Sequence, residues 1–492
     1  MNVLSQEYSA PVPASVSRPF PTDFLFGAAT AAYQIEGAAF EDGRTASIWD
    51  AFSRVPGAVI GADNGDVACD HYHRYRGDVA LMKDLGLETY RFSTSWSRVR
   101  PDGGPVNAKG IDFYERLVDE LLRAGIRPWL TLYHWDLPQT LEEQGGWTVR
   151  ETSERFAEYA LSVHDALGDR VSDWTTLNEP WCSSFLSYTG GIHAPGRFSI
   201  GDGMLASHHL LRGHGLVVEE LRRRDPALNL GITLNLTVAE AADPAKPEDV
   251  DAARRIDGQF NRWFLDPIFR GSYPEDIVSD IRAVDPDAVA RFEAAVHPGD
   301  VDTISQRLDV LGVNYYHGEF VGGSAPADPP LPGDAPTDRV VGSPWPAGDG
   351  IHWYERGLPR TAMHWEVQPA GLTVLLERVW DEYAKDAGTA LFVTENGAAF
   401  DDETVVEDGD VRVHDADRVE FLRGHLGAIL DAADAGVDVR GYFYWSLMDN
   451  FEWAWGYDKR FGLIRVDYAT QERTFKDSAL EYRRVIAARA ID

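Results

Sequence analysis

Eight short apolar or aromatic runs, separated by stretches of helical periodicity, recur from one end of this 492-residue chain to the other. They are Leu25–Tyr33, Thr89–Trp96, Arg127–Trp135, Asp173–Asn178, Leu228–Leu236, Val310–Tyr316, Ala390–Glu395 and Arg440–Leu447. Strand and helix in alternation predict a parallel α/β sheet with helices over it. Eight strands are the number that closes a (β/α)8 TIM barrel. The helical stretches carry readable faces and ends. Tyr114, Leu117, Val118, Leu121 and Leu122 repeat at three and four, with Gly125 where a left-handed cap belongs. Thr148 to Glu151 reads as a capping box ahead of Phe156, Ala160, Val163 and Leu167. Val419, Leu422, Leu426, Ile429 and Ala433 lead to Gly436.

Two stretches break the rhythm. Residues 237–308 are too long for one crossover and predict two or more helices, whereas 318–366 are rich in Pro and Gly with several aromatics. The second follows the sixth run, so it extends the C-terminal face of the barrel, where active sites of this fold sit. No repeat or hinge-like linker divides the chain. The expectation is a poorly ordered leader, 1–17, and one barrel domain, 18–492, because α/β barrels routinely exceed the usual domain length.

Charge narrows the partners. Forty-six Lys and Arg against 79 Asp and Glu give a net −33, which disfavours nucleic acid and anionic lipid and leaves neutral small molecules as the natural ligands. Cys69 and Cys182 make neither a disulfide framework nor a CxxC pair, and the first twenty residues lack a signal-peptide pattern. A cytoplasmic protein is expected, with no membrane span; composition sets no oligomeric state.

The polar strand ends carry the chemistry. The fourth run leads into Thr176-Leu177-Asn178-Glu179-Pro180 and the seventh ends in Thr394-Glu395-Asn396-Gly397. A carboxylate at the end of a buried strand is costly unless it is paired or used. Ion pairing to an Arg would account for either glutamate alone; two at the mouth of one barrel suit cleavage of a glycosidic bond, which needs an acid and a nucleophile or base. Trp135, Trp181, Trp445, Trp453 and Trp455 at the same end offer faces for sugar rings, although each also suits packing. These residues do not by themselves choose Glu395 over Glu452, or say which glutamate is the acid.

Rival chemistries lack their parts. A Schiff-base aldolase needs a strand-end Lys, and of the six lysines only Lys459 lies near the mouth. Metal hydrolysis would draw on His71, His73, His134, His208 and His209, but the i,i+2 and adjacent spacings point the paired histidines apart on a helix. No GxGxxG or P-loop is present, so neither metal nor cofactor is expected.

Beyond these arguments, the chain closely resembles glycoside hydrolase family one, the retaining β-glucosidases and β-galactosidases, over residues 18–490. The resemblance rests on FLFGAATAAYQIEG at 24–37, YRFSTSWSR at 90–98, YHWDLP at 133–138, TLNEPW at 176–181, GVNYY at 312–316, VTENG at 393–397 and YWSLMDNFEWAWGYDKRFGL at 444–463. It implies Glu179 as general acid/base and Glu395 as nucleophile, supported by Arg91 and Tyr316. It also implies sugar contacts from Gln34, His134, Trp135, Asn178, Trp445, Glu452 and Trp453. Asn314 is expected to orient the nucleophile region, Phe461 to close the wall, and Trp365, within WEVQPAGL, to line the aglycone side with Trp181, His193 and the 318–366 segment. Glu179 stands where plant thioglucosidases carry Gln. Trp453 and Phe461 replace the Ser and Tyr of phospho-glycosidases, leaving Lys459 as the one match to that phosphate grip. The implied activity is retaining exo-hydrolysis of β-D-glucosyl residues from cello-oligosaccharides and from aryl or alkyl glucosides. Galactoside or fucoside cleavage and transglycosylation are alternatives within the family, and a non-catalytic sugar-binding protein is the alternative outside it.

Overall fold

The computed structural model describes residues 17–329, 339–407 and 409–492. The expected leader, apart from Ser17, lies outside them, as does 330–338 of the long Pro/Gly-rich segment. Eight parallel strands close into a barrel: β1 Leu25–Ala29, β2 Thr89–Ser93, β3 Arg127–Tyr133, β4 Asp173–Asn178, β5 Asn229–Asn235, β6 Val310–Asn314, β7 Ala390–Asn396 and β8 Val439–Trp445. They pair in chain order, and β8 returns to β1, with Tyr442 opposite Phe26. Each strand falls on its expected run, β7 and β8 overrunning theirs by one residue, at Asn396 and Val439. Several stop short of it, because residues past the last ladder bond turn into the mouth; the tail of the first run becomes the helix Ala32–Ile35.

Long helices follow β1 (His71–Leu85), β2 (Ala108–Ala124), β3 (Glu151–Leu167) and β4 (Ile200–Arg224). Others follow β6 (Pro369–Val379), β7 (Ala416–Asp434) and β8 (Asp477–Ala488). After β5 come several helices between Pro247 and Ile304, as the length of that stretch predicts. Gly125 takes φ +81° and gives its N–H to Leu121 and Leu122, the expected cap. The capping box expected at 148–151 does not form. Gly145 and Gly146 take φ of +117° and +58°, coiling Gly146–Thr148 into a separate tight turn in which the Thr148 hydroxyl donates to the Gly145 carbonyl. The helix then starts at Glu151 behind Arg150. The 318–366 segment also has order of its own: Glu319–Gly322 pairs with His352–Trp353 and with Ala239–Ala241 in a small sheet.

One hydrophobic cluster runs from Phe20 to Ile491. Inside the barrel, Trp129 of β3 meets Phe392 of β7 at 4.9 Å and Phe443 of β8 at 5.2 Å between ring centres. Rings from opposite strands therefore fill the interior below the C-terminal mouth. Beside the barrel, the Lys476 ammonium sits between Asp402 and Asp449, at 2.6 and 2.7 Å. Arg418 bonds Asp402 at 2.7 Å and pairs with Asp415, and Arg460 reaches Asp449 at 2.6 Å. Burial opposes ionisation of Asp449, yet Lys476 and Arg460 hold its carboxyl below the ordinary range.

Candidate active site

The strand ends surround a cavity of about 720 Å³ at the C-terminal mouth. Glu179 follows β4, Glu395 lies in β7 and Asn314 ends β6 between them; His134 and Trp135 follow β3, Trp445 ends β8, and Glu452 and Trp453 ride the loop beyond it. Three of these residues hold left-handed backbone: Trp135 at φ +73°, Glu179 at +48° and Trp453 at +49°. Such geometry costs on the order of 1–3 kcal/mol per residue and collects at functional sites. Close approach is needed as well. A Cβ on Gly397 would lie 1.6 Å from the Trp445 carbonyl oxygen, so the turn after Glu395 admits glycine alone.

The two strand-end glutamates have unlike neighbours. Glu395 receives Arg91 Nη1 on Oε1 at 2.6 Å and the Tyr316 hydroxyl on Oε2 at 2.8 Å. Burial pushes its carboxyl above the ordinary value while Arg91, Tyr316 and Asn314 pull it back. Glu179 has no ion-pair partner among the described residues. It receives Asn314 Nδ2 at 2.6 Å and Cys182 Sγ at 3.3 Å, and burial together with the charge of Glu395 pushes it to about 8. Glu395 therefore gives up its proton first. Glu452 is likewise raised to about 8, by burial and by both neighbouring carboxylates, and its buried Oε2 has no hydrogen-bond partner.

His134, Trp135, Trp445, Trp453, Tyr316, Phe461 and Trp365 line the cavity. Gln34, Asn178 and Arg91 stand directly behind that wall. Gln34 spends Nε2 on Asn450 and Phe451 and leaves Oε1 buried without a partner. Asn178 accepts Arg91 Nη2 at 2.6 Å, which turns its own Nδ2 toward His134 Nε2 at 3.0 Å. Burial and Arg91 push His134 well below its ordinary pKa, so the ring is neutral and its second nitrogen, Nδ1, is buried unpaired. Asn314 lies beside Glu395 as expected, its partner in the strand register, and gives its amide hydrogen across the mouth to Glu179 at 2.6 Å.

The histidines weighed as metal ligands are engaged apart from one another. His71 pairs with Asp78, His73 with Asp70 and Glu41, His208 with Asp300 and Tyr273, and His209 with the Trp147 carbonyl. In the outer wall, where Trp181 and the 318–366 segment were expected, Trp181 meets Phe260 at 4.7 Å and Trp345 at 5.2 Å, and Trp345 meets Trp353 at 6.1 Å; sequence reasoning named neither Phe260 nor the two tryptophans of the segment. It missed Cys182 too, although a thiol three residues after Glu179, on the turn that follows, was the available signal.

The chain matches the model of Glycosyl hydrolase family 1 over residues 16–491. It is 50% identical over 486 residues to thermostable β-glucosidase B of Thermobispora bispora, covering 98% of this chain and 93% of that one. To the bifunctional β-D-glucosidase/β-D-fucosidase of Bifidobacterium breve it is 48% identical, across 95% and 98% of the two chains. Among solved structures, the psychrophilic β-glucosidase BglU of Micrococcus antarcticus superposes with a TM-score of 0.91 at 53% identity, covering 96% and 98%. The chain belongs to glycosyl hydrolase family 1 and is a glycoside hydrolase.

Proposed function

We propose that this hydrolase is a retaining exo-β-glucosidase in which Glu395 is the nucleophile and Glu179 the general acid and base. The observation that carries the assignment is the unequal support of two buried carboxyls in one cavity: Glu395 is ion-paired to Arg91, and Glu179 has no ion-pair partner among the described residues. At neutral pH the first is the anion and the second the acid. The Glu395 carboxylate attacks the anomeric carbon while Glu179 hands its proton to the departing glycosidic oxygen, and a glycosyl ester forms. Esterification removes the Glu395 charge that helped to raise Glu179, so Glu179, now ionised, can take a proton from water as that water displaces the ester.

The aromatic plug of Trp129, Phe392 and Phe443 below the mouth favours a terminal sugar ring held at a closed end. Gln34, His134, Asn178, Glu452, Trp445 and Trp453 would bind that ring. Trp135, Trp181, Trp365 and Phe461 would receive or border the leaving group, whether the second unit of a cello-oligosaccharide or an aryl or alkyl group. The names of the relatives favour a glucosyl residue, and the bifunctional relative adds fucosides as a second glycone. The buried free thiols of Cys69 and Cys182 suit a reducing, cytoplasmic setting.

The test is hydrolysis of p-nitrophenyl β-D-glucopyranoside followed by proton NMR before mutarotation mixes the anomers. β-Glucose appearing first supports double displacement; α-glucose first overturns it. Turnover of the fucoside or galactoside with none of the glucoside would reassign the glycone.

A further inference from the structure

Glu179 is held at both oxygens, by donors of different kinds. The hydrogen bonds behind it have a direction that the side chains themselves fix. Arg91 carries no acceptor, so the atom it meets at 2.6 Å must be Asn178 Oδ1. That oxygen also faces the Asn314 amide at 3.2 Å, so the facing atom there is the donor Nδ2. Asn314 Oδ1 is engaged on its other side by the Thr394 hydroxyl at 2.8 Å. Asn314 Nδ2 therefore meets Glu179 Oε1, at 2.6 Å, as a donor that cannot accept. A proton on Oε1 would confront an N–H hydrogen.

Oε2 faces a different group. Cys182 opens a wide helical segment, Cys182–Thr189, whose Ser187 hydroxyl donates to the Cys182 carbonyl at 2.7 Å. Helical segments of this width occur frequently at functional sites. The Cys182 N–H bonds the Glu179 carbonyl at 3.0 Å, and this fold-back brings Sγ to 3.3 Å from Oε2. Asn235 Nδ2 donates to one lone pair of the same sulfur from another side at 3.6 Å, leaving the thiol hydrogen and the second lone pair for Glu179.

On the reading of Glu179 as acid and base, we infer that its transferable proton is confined to Oε2 and that Cys182 is the positioning residue for that oxygen. With Glu179 ionised, the thiol donates to Oε2. With Glu179 protonated, sulfur, a weak acceptor as well as a weak donor, receives the Oε2–H until a glycosidic oxygen replaces it. An amide nitrogen cannot make that exchange, which is why the two oxygens are supported differently. In the first step the Oε2–H bond breaks and its proton goes to the leaving oxygen; in the second, Oε2 takes a proton from water.

The test is the pH profile of kcat/KM on cellobiose for Cys182→Ala and Cys182→Ser. Removing the donor destabilises the ionised form of Glu179, so the alkaline limb of Cys182→Ala moves up by roughly 0.3–0.7 pH unit. Serine supplies a hydroxyl that can both donate and accept, and draws the limb back toward the parent enzyme. Coincident limbs for Cys182→Ala and the parent, or Cys182→Ser tracking Cys182→Ala, overturn the inference. Glu179→Ala separates it from the reading beneath it. Equal losses on cellobiose and on p-nitrophenyl glucoside would remove the acid role itself. Unequal losses with unmoved Cys182 limbs remove only the inference drawn here.

Discussion

Two clusters of buried carboxyls lie on this barrel, and they are neutralised to different degrees. Beside the barrel, Asp402, Asp415 and Asp449 are matched by Lys476, Arg418 and Arg460. In the cavity, Glu179, Glu395 and Glu452 have, among the described residues, Arg91 alone as an ion-pair partner. The first cluster pulls Asp449 below its ordinary pKa; the second pushes Glu179 and Glu452 to about 8. On the proposed mechanism the same fold supplies cations where charge is structural and withholds them where a proton must move, a difference that would separate a functional cluster from a merely buried one.

The comparison can be broken at either end. Glu395→Ala should lower turnover of glucosides by roughly four orders of magnitude or more, with exogenous azide restoring it as the α-glucosyl azide; near-normal activity would remove Glu395 from the mechanism. Lys476→Met leaves Asp402 and Asp449 facing each other, and urea unfolding should show a loss of about 3–5 kcal/mol. No loss would mean that the matched cluster is not held by its charges.

Glu452→Gln should do the opposite to stability. The folded protein holds the Glu452 proton up to about 8, whereas the unfolded chain releases it near 4.5, so wild-type stability falls as pH rises between those values. The variant does not titrate there. It should become the more stable protein by at least about 1 kcal/mol at pH 8 and lose that lead by pH 4, while binding glucosides less well. A constant difference across the range would contradict the assignment. The smallest effect concerns Glu179 itself. In Glu395→Gln its titration, followed by carbon NMR, should move to lower pH because one of its two raising causes is gone. An unmoved titration would mean that burial acts alone.

Much of this was legible before any coordinates. Short apolar runs located all eight strands, because burial on both sheet faces leaves little freedom in residue type, and three-to-four spacing located three of the long helices. Glu179 and Glu395 stood out because ionisable side chains at the ends of buried strands are rare without a use. Contacts that depend on backbone turns were not legible. The tight turn at Gly145–Gly146 displaced a helix start that side-chain spacing alone placed at Thr148. Asn314 could be placed beside Glu395, its partner in the strand register, but its bond to Glu179 could not, since that contact rests on a side-chain direction across the mouth. The outer tryptophans 345 and 353 sit in a segment without periodicity, so nothing in the pattern aimed them inward.

The plug formed by Trp129, Phe392 and Phe443 has a consequence for the order of events. A cavity with a filled floor and one mouth works as a stack and not as a conduit: the sugar ring that goes in first comes out last. On the proposed mechanism the leaving group, seated above it, departs before anything else can, and its departure clears the path by which water reaches the ester. The geometry thus sets the sequence of release without a moving part, and free sugar returning to the vestibule stands in the way of the next delivery.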